Sequence, residues 1–84
     1  MANFVVESSF DPPLTDEQHN QAAAKLDKCL AEHGASWVRT YFSKDRRRMI
    51  CMFEAADAEA VRHSHRSAGF TFEKCWDTEV YERS

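Results

Sequence analysis

The chain has 84 residues, 43% of them hydrophobic and 30% charged, with 14 acidic and 11 basic side chains and a formal net charge of −3. These values are ordinary for a folded protein, and the length fits a single domain over residues 1–84. The acidic balance argues against a general nucleic-acid binder, and no apolar stretch approaches membrane-spanning length. With no recognisable N-terminal signal, we expect a cytoplasmic protein without nucleic-acid or membrane partners.

A strand followed by a helix is predicted for the N-terminal third of the chain. Apolar and polar side chains alternate over Asn3–Phe10, and two prolines then end the strand because neither can donate a hydrogen bond to a sheet. Thr15 and Gln18 have the spacing of a capping box, which marks the start of the first helix. We expect this helix to reach about His33, with Gly34 as its C-terminal cap.

The middle of the chain is predicted to form a hairpin followed by a second helix. Two runs of β-branched and aromatic residues, about Ala35–Ser43 and Arg47–Glu54, flank the charged turn Lys44–Arg46. The basic cluster Arg46–Arg48 at this turn suits a solvated loop better than a phosphate-binding patch. Asp57 is a good N-cap, so we expect the second helix over about Ala58–Ala68, ended by the next glycine.

The last strand is predicted over about Phe70–Tyr81. The element order is then β-α-β-β-α-β, which is the ferredoxin-like arrangement of the α+β class. We expect a four-stranded antiparallel sheet with strand order 4-1-3-2. Right-handed crossovers place both helices on one face of that sheet.

Side-chain alternation assigns residues to the two faces of the predicted sheet. The face under the helices is expected to hold Phe4, Val6, Val38, Phe42, Phe72 and Trp76. The opposite face is expected to hold Val5, Trp37, Arg39 and Tyr41, together with Met49, Cys51 and Phe53 if the third strand keeps the same parity. A sheet face that exposes this many aromatic side chains marks an interaction surface. We expect a homodimer formed through it.

The histidines, cysteines and carboxylates include several possible metal ligands. His63 and His65 lie roughly 200° apart around a helix, so one ion cannot bind both. His63 shares a helix side with Glu59, whereas His65 lies on the inward stripe, where a backbone-bonded core histidine is an equal alternative. Cys29 and His33 form a further pair at helical spacing.

The three cysteines, Cys29, Cys51 and Cys75, are an odd number without a CxxC pair. We therefore expect free thiols in a reducing compartment. Cys51 lies in the middle of a predicted strand, and Glu54 follows three residues later at its end. No pair of nucleophile and base is contiguous in the sequence.

Three segments resemble a family of small bacterial proteins formerly classed as a domain of unknown function. They are Trp37-Val-Arg-Thr-Tyr-Phe-Ser, then Cys51-x-x-Glu54-Ala-x-Asp57-x-x-Ala60, and then His65-x-x-x-Gly69. Some members of that family are described as nickel-binding. The resemblance implies a ferredoxin-like homodimer that binds Ni²⁺, with no established enzymatic activity. By position it implies Cys51, Glu54 and His65 as candidate ligands, and His63 is an additional imidazole of this chain.

These observations favour a small dimeric metal-binding protein for nickel or a related divalent ion, acting in storage, buffering or sensing. Imidazole, thiolate and carboxylate suit such ions. The alternative is a dimeric ferredoxin-like enzyme of monooxygenase or isomerase type acting on a small molecule. That function predicts a closed pocket lined by Trp37, Tyr41 and His65, and it rests on analogy of fold alone.

Overall fold

The computed structural model describes residues 1–83 and contains the six elements in the predicted order. Their bounds are β1 Ala2–Ser9, α1 Asp16–Glu32, β2 Ser36–Phe42, β3 Arg48–Ala55, α2 Ala58–Ala68 and β4 Lys74–Thr78. All strand pairs are antiparallel, in the order β2-β3-β1-β4. This is the predicted order 4-1-3-2 counted from the other edge, so the ferredoxin-like α+β fold is confirmed.

Both helices begin where the sequence predicts and α2 ends at Gly69 as predicted, whereas α1 ends one residue early, at Glu32, with His33 rather than Gly34 as its cap. Thr15 and Gln18 make the two reciprocal hydrogen bonds of a capping box at the start of α1. Asp57 accepts a hydrogen bond of 2.8 Å from the Ala60 amide, and Gly69 ends α2 in the left-handed conformation that glycine adopts without strain. Within residues 1–83, neither helix is long and apolar enough to cross a membrane.

The core lies between the two helices and one face of the sheet. Leu26 and Leu30 of α1 and Val61 of α2 are at most 6% exposed, and they pack on the strands with Phe4 and Val6. Two side chains on successive turns of α1, Leu26 and Leu30, therefore anchor it to the sheet. Burial of a side chain of this size contributes about 1.5–3 kcal/mol to folding.

The third strand does not keep the parity on which the predicted placement of Met49, Cys51 and Phe53 depended. The register places Phe53 opposite Phe4 and Cys51 opposite Val6, and directly opposed residues share a face of the sheet. Met49, Cys51 and Phe53 thus belong to the core under the helices. The alternation of β3 did not reveal this, because its other face also carries apolar side chains, Ile50 and Met52.

Both tryptophans lie on the opposite side of the sheet from the predicted one. A β-bulge at Val38 shifts the pairing, so Trp37 lies opposite Phe53 and lines a cavity on the helix side. The bulge leaves Val38 45% exposed instead of under the helices. Trp76 pairs with Val5 and therefore lies on the face remote from the helices, which we call the open face. The fourth strand is also shorter than predicted.

The β2–β3 hairpin turn is held by side-chain contacts with the start of α1. Arg46 has a positive φ of 64°, and its guanidinium lies 3.1 Å from Asp16 and 4.6 Å from the centre of the Phe42 ring. Arg47 pairs with Asp11 at 3.2 Å. These contacts neutralise two of the three turn arginines, which agrees with a structural turn rather than a phosphate site.

Candidate metal centre

His65 is buried in the core, where it is 1% exposed. Its Nδ1–H donates a hydrogen bond of 2.8 Å to the Val61 carbonyl oxygen. The ring packs edge-to-face against Phe53, Phe70 and Phe72, with ring centroids 5.1, 5.7 and 5.4 Å away. The imidazole is thus in contact with three aromatic rings and one backbone carbonyl acceptor.

Burial lowers the pKa of His65, and the hydrogen bond to the Val61 carbonyl opposes this shift only in part. The imidazole is therefore held neutral, which is the form that metals bind. However, an ion at this position would be surrounded by phenyl rings, and an unpaired charge in such a place is strongly unfavourable. The geometry gives His65 a packing role, one of the two alternatives open from the sequence.

Cys51 lies on the helix side of β3 and is 5% exposed. The Thr40 hydroxyl donates a hydrogen bond of 3.2 Å to its sulfur, and the Trp37 indole N–H donates one of 2.8 Å to that hydroxyl. Burial raises the pKa of the Cys51 thiol, and the Thr40 bond opposes the rise. All three cysteines are free, as predicted, but this one is shielded and protonated.

Glu54 points away from the other predicted ligands. It is exposed and, three positions after Cys51 on a strand, it lies on the open face while Cys51 lies under the helices. The sheet separates the two side chains. Within residues 1–83, no three side chains of histidine, cysteine, aspartate or glutamate are grouped to hold one metal ion.

His63 lies on the exposed side of α2, and the structure pairs it with His33. His33 is the C-terminal cap of α1, and the two rings pack edge-to-face with centroids 4.6 Å apart. The rings line a shallow depression of about 340 Å³ together with Asp57 and Glu59. Two imidazoles from different helices thus converge beside two carboxylates at the surface.

The donors around this depression differ in how far they are already engaged. Asp57 accepts the α2 capping bond through one carboxylate oxygen. Glu59 pairs with Arg66 at 3.1 Å and with Arg62 at 4.0 Å. The imidazoles of His33 and His63 are therefore the side chains of this depression that are least engaged by other polar contacts.

The three side chains expected to line an enzyme pocket lie apart in the described part of the chain. Trp37 lies on the helix side of the sheet, Tyr41 is 58% exposed on the open face, and His65 is in the core. None of the four best-formed cavities in residues 1–83 is lined by all three.

Sequence reasoning paired His63 with Glu59 and His33 with Cys29, because it considered only spacing within one helix. The pairing of His33 with His63 is a contact between helices. Antiparallel packing of two helices on one sheet face could have suggested it, since the end of α1 then lies beside α2.

A family model described as nickel responsive protein SCO4226-like matches residues 4–77. Among solved structures, the fold is similar to the crystal structure of SCO4226 from Streptomyces coelicolor A3(2). The TM-score is 0.85, with 18% sequence identity, over 96% of this chain and 100% of that chain. At this identity the likeness concerns the fold alone. No curated protein matches the sequence significantly.

Proposed function

Because this chain belongs to the SCO4226-like family of nickel-responsive proteins, we propose that it binds nickel or a related divalent ion reversibly. In this proposal it acts as a small homodimer in storage, buffering or sensing of the metal. The fold and the family describe the whole domain. Support for a particular metal centre therefore has to come from the side chains that would form it.

The observation that supports a metal centre best is the contact between His33 and His63, with ring centroids 4.6 Å apart. Each ring comes from a different helix, so a shared ion would tie the end of α1 to the middle of α2. Of the ligands predicted from the sequence, the proposed centre keeps His63. It replaces His65, Cys51 and Glu54 with His33, because those three lie in the core or across the sheet.

The proposed donor set suits reversible binding of a metal ion better than tight sequestration of that ion. Two imidazoles and water molecules form an open, exposed site, and such a site exchanges its ion readily. Cu²⁺ would bind more tightly than Ni²⁺ at the same ligands by the Irving–Williams order. A response to nickel would therefore depend on geometry or on the supply of metal.

Calorimetric titration of untagged protein with Ni²⁺ should show binding tighter than about 1 mM, or roughly −4 kcal/mol. Replacing either His33 or His63 by alanine should weaken it at least about tenfold, because a single imidazole cannot chelate. Imidazole binds metals only when neutral, so binding should also weaken from about pH 7.5 to 5.5.

His19→Ala is the matched control, since this histidine lies on α1 away from the depression. It should leave Ni²⁺ binding unchanged. Unaltered Ni²⁺ binding in both His33→Ala and His63→Ala would contradict the proposed centre. A wild-type protein with no affinity for any divalent ion would contradict the proposed metal function as a whole.

The open face supports the dimer part of the proposal. Tyr41, Ile50 and Trp76 are 58%, 38% and 44% exposed there, around the half-buried Met52. Arg39 donates a hydrogen bond of 3.4 Å to the Tyr41 hydroxyl, and Trp76 donates one of 2.8 Å to Glu7. The patch is thus apolar with a polar rim, as in protein interfaces. A second copy would cover roughly 600–1,000 Å² on each partner.

Ile50→Glu should convert the dimer to a monomer at tens of micromolar in sedimentation experiments. Its carboxylate would lie in the middle of the open face, where dimer formation would bury a charge without a partner. Ala24→Glu, on the exposed side of α1, is the control and should remain dimeric. A monomeric wild type at the same concentration would contradict dimerisation.

A further inference from the structure

A second cluster of metal-binding side chains surrounds a small cavity between α1 and the sheet. The cavity has a volume of about 40 Å³ and is separate from the His33–His63 depression. The residues that line it include Met49, Cys51, His19, Trp37 and Asp27. A water molecule needs only about 10–15 Å³, so a single metal ion has room.

The two sulfur atoms belong to neighbouring inward positions of one strand. Met49 and Cys51 are two residues apart on β3, so both side chains leave the same face. They are 3% and 5% exposed. The hydrogen-bonded series Trp37–Thr40–Cys51 fixes the indole and the thiol in the same wall, at 2.8 and 3.2 Å. The donors are therefore held by the core and do not depend on a mobile loop.

The chemistry of these donors selects a particular class of metal. Thiolate and thioether are soft ligands that favour Cu⁺, whereas Ni²⁺ accepts nitrogen and oxygen donors. A monovalent ion on one thiolate is neutral overall, and the exposed carboxylate of Asp27 also lines the cavity.

We propose that this cavity binds one soft monovalent ion, Cu⁺ or its redox-inert analogue Ag⁺. Cys51 Sγ and Met49 Sδ are the principal ligands, and the half-buried His19 is a third donor at the mouth. Binding replaces the S–H bond of Cys51 with a sulfur–metal bond and releases the proton to solvent, without oxidation or reduction. The indole of Trp37 adds cation–π attraction from the wall.

The burial of Cys51, which is 5% exposed, agrees with this selectivity. A protonated thiol is a poor ligand for borderline divalent ions near neutral pH. Only a metal with high affinity for thiolate displaces its proton. The two centres of the protein would then differ in metal class as well as in position.

The test uses Ag⁺ in chloride-free buffer and a chain in which Cys51 is the only thiol, made by Cys29→Ser and Cys75→Ser. Trp76→Phe leaves Trp37 as the only tryptophan, so its fluorescence reports on the cavity wall. Native mass spectrometry should find one Ag⁺ per chain, with fluorescence that changes until one equivalent is added. Adding Met49→Leu should weaken binding about tenfold or more, as expected when a donor is lost.

Met52→Leu is the matched control, because it makes the same change on the opposite face of the same strand. It should leave Ag⁺ binding unchanged, and Cys51→Ser should abolish it while leaving Ni²⁺ binding intact. Circular dichroism confirms that each variant is folded, and Met→Leu exchanges keep the core volume. Absence of Ag⁺ binding to the Cys51-only chain, or affinity independent of Met49, would overturn the proposal.

Discussion

Replacing His65 by alanine is expected to lower the free energy of unfolding by about 3 kcal/mol. The substitution removes a side chain that is 1% exposed, leaves a cavity among Phe53, Phe70 and Phe72, and deletes the bond to the Val61 carbonyl. Urea denaturation measures the change. His63→Ala, an exposed imidazole on the same helix, is the control and should stay within about 0.5 kcal/mol.

The same residue should make stability depend on pH. Because the pKa of His65 is lowered by burial, the unfolded chain takes up a proton at higher pH than the folded chain. The stability from the neutral imidazole is complete above about pH 6.5, the reference value for unfolded histidine, and is lost as the pH falls below it. His65→Gln should remove the part of the stability loss at low pH that comes from this imidazole. It should leave the affinity for Ni²⁺ unchanged. A weaker Ni²⁺ affinity in folded His65→Gln would instead make His65 a ligand.

Phe53→Ala is expected to cost about 4 kcal/mol of unfolding free energy, since large aromatic core truncations cost the most. Phe53 is 1% exposed and contacts the His65 ring, with centroids 5.1 Å apart. In so small a domain this loss is a large part of the total stability. Thermal unfolding of the two proteins measures it.

Glu54→Ala is the control for this change, because the neighbouring side chain points to the open face. It should alter stability by no more than about 0.5 kcal/mol. Similar costs for Phe53→Ala and Glu54→Ala would contradict the orientation of β3 in this structure.

The elements and their order could be predicted because local signals define them. Thr15 and Asp57 mark the helix starts through hydrogen bonds within three residues, and Gly69 marks an end through its backbone conformation. Hydrophobic alternation then provides the strands, and handedness provides the topology. None of these signals requires knowledge of a distant contact.

The faces of the strands could not be predicted in the same way. A shift of one residue turns every side chain of a strand to the other face, and β3 is apolar on both faces. The bulge at Val38 turns the Trp37 side chain to the other face of the sheet. No glycine or proline in the sequence marks the position of this bulge. Cys51 and Glu54, by contrast, are three positions apart on one strand, so alternation places them on opposite faces whichever way β3 is turned.

The pairing of His33 with His63 was also beyond local reasoning. The two residues are far apart in sequence and meet only when α1 and α2 pack side by side. Once the fold is known, the pair follows from where each helix places its ring. Metal centres assembled from different elements are therefore the part of a site that sequence spacing reveals least.

Nuclear magnetic resonance of the ¹⁵N-labelled, untagged protein during addition of Ni²⁺ tests the central claim most directly. A bound Ni²⁺ ion shifts or broadens the backbone amide signals closest to it. The first changes should occur at residues 32–34 and 60–64, on the two helix segments that carry His33 and His63. First changes on β3 around Cys51 and Glu54, or no localised change at all, would contradict a divalent metal centre between the helices.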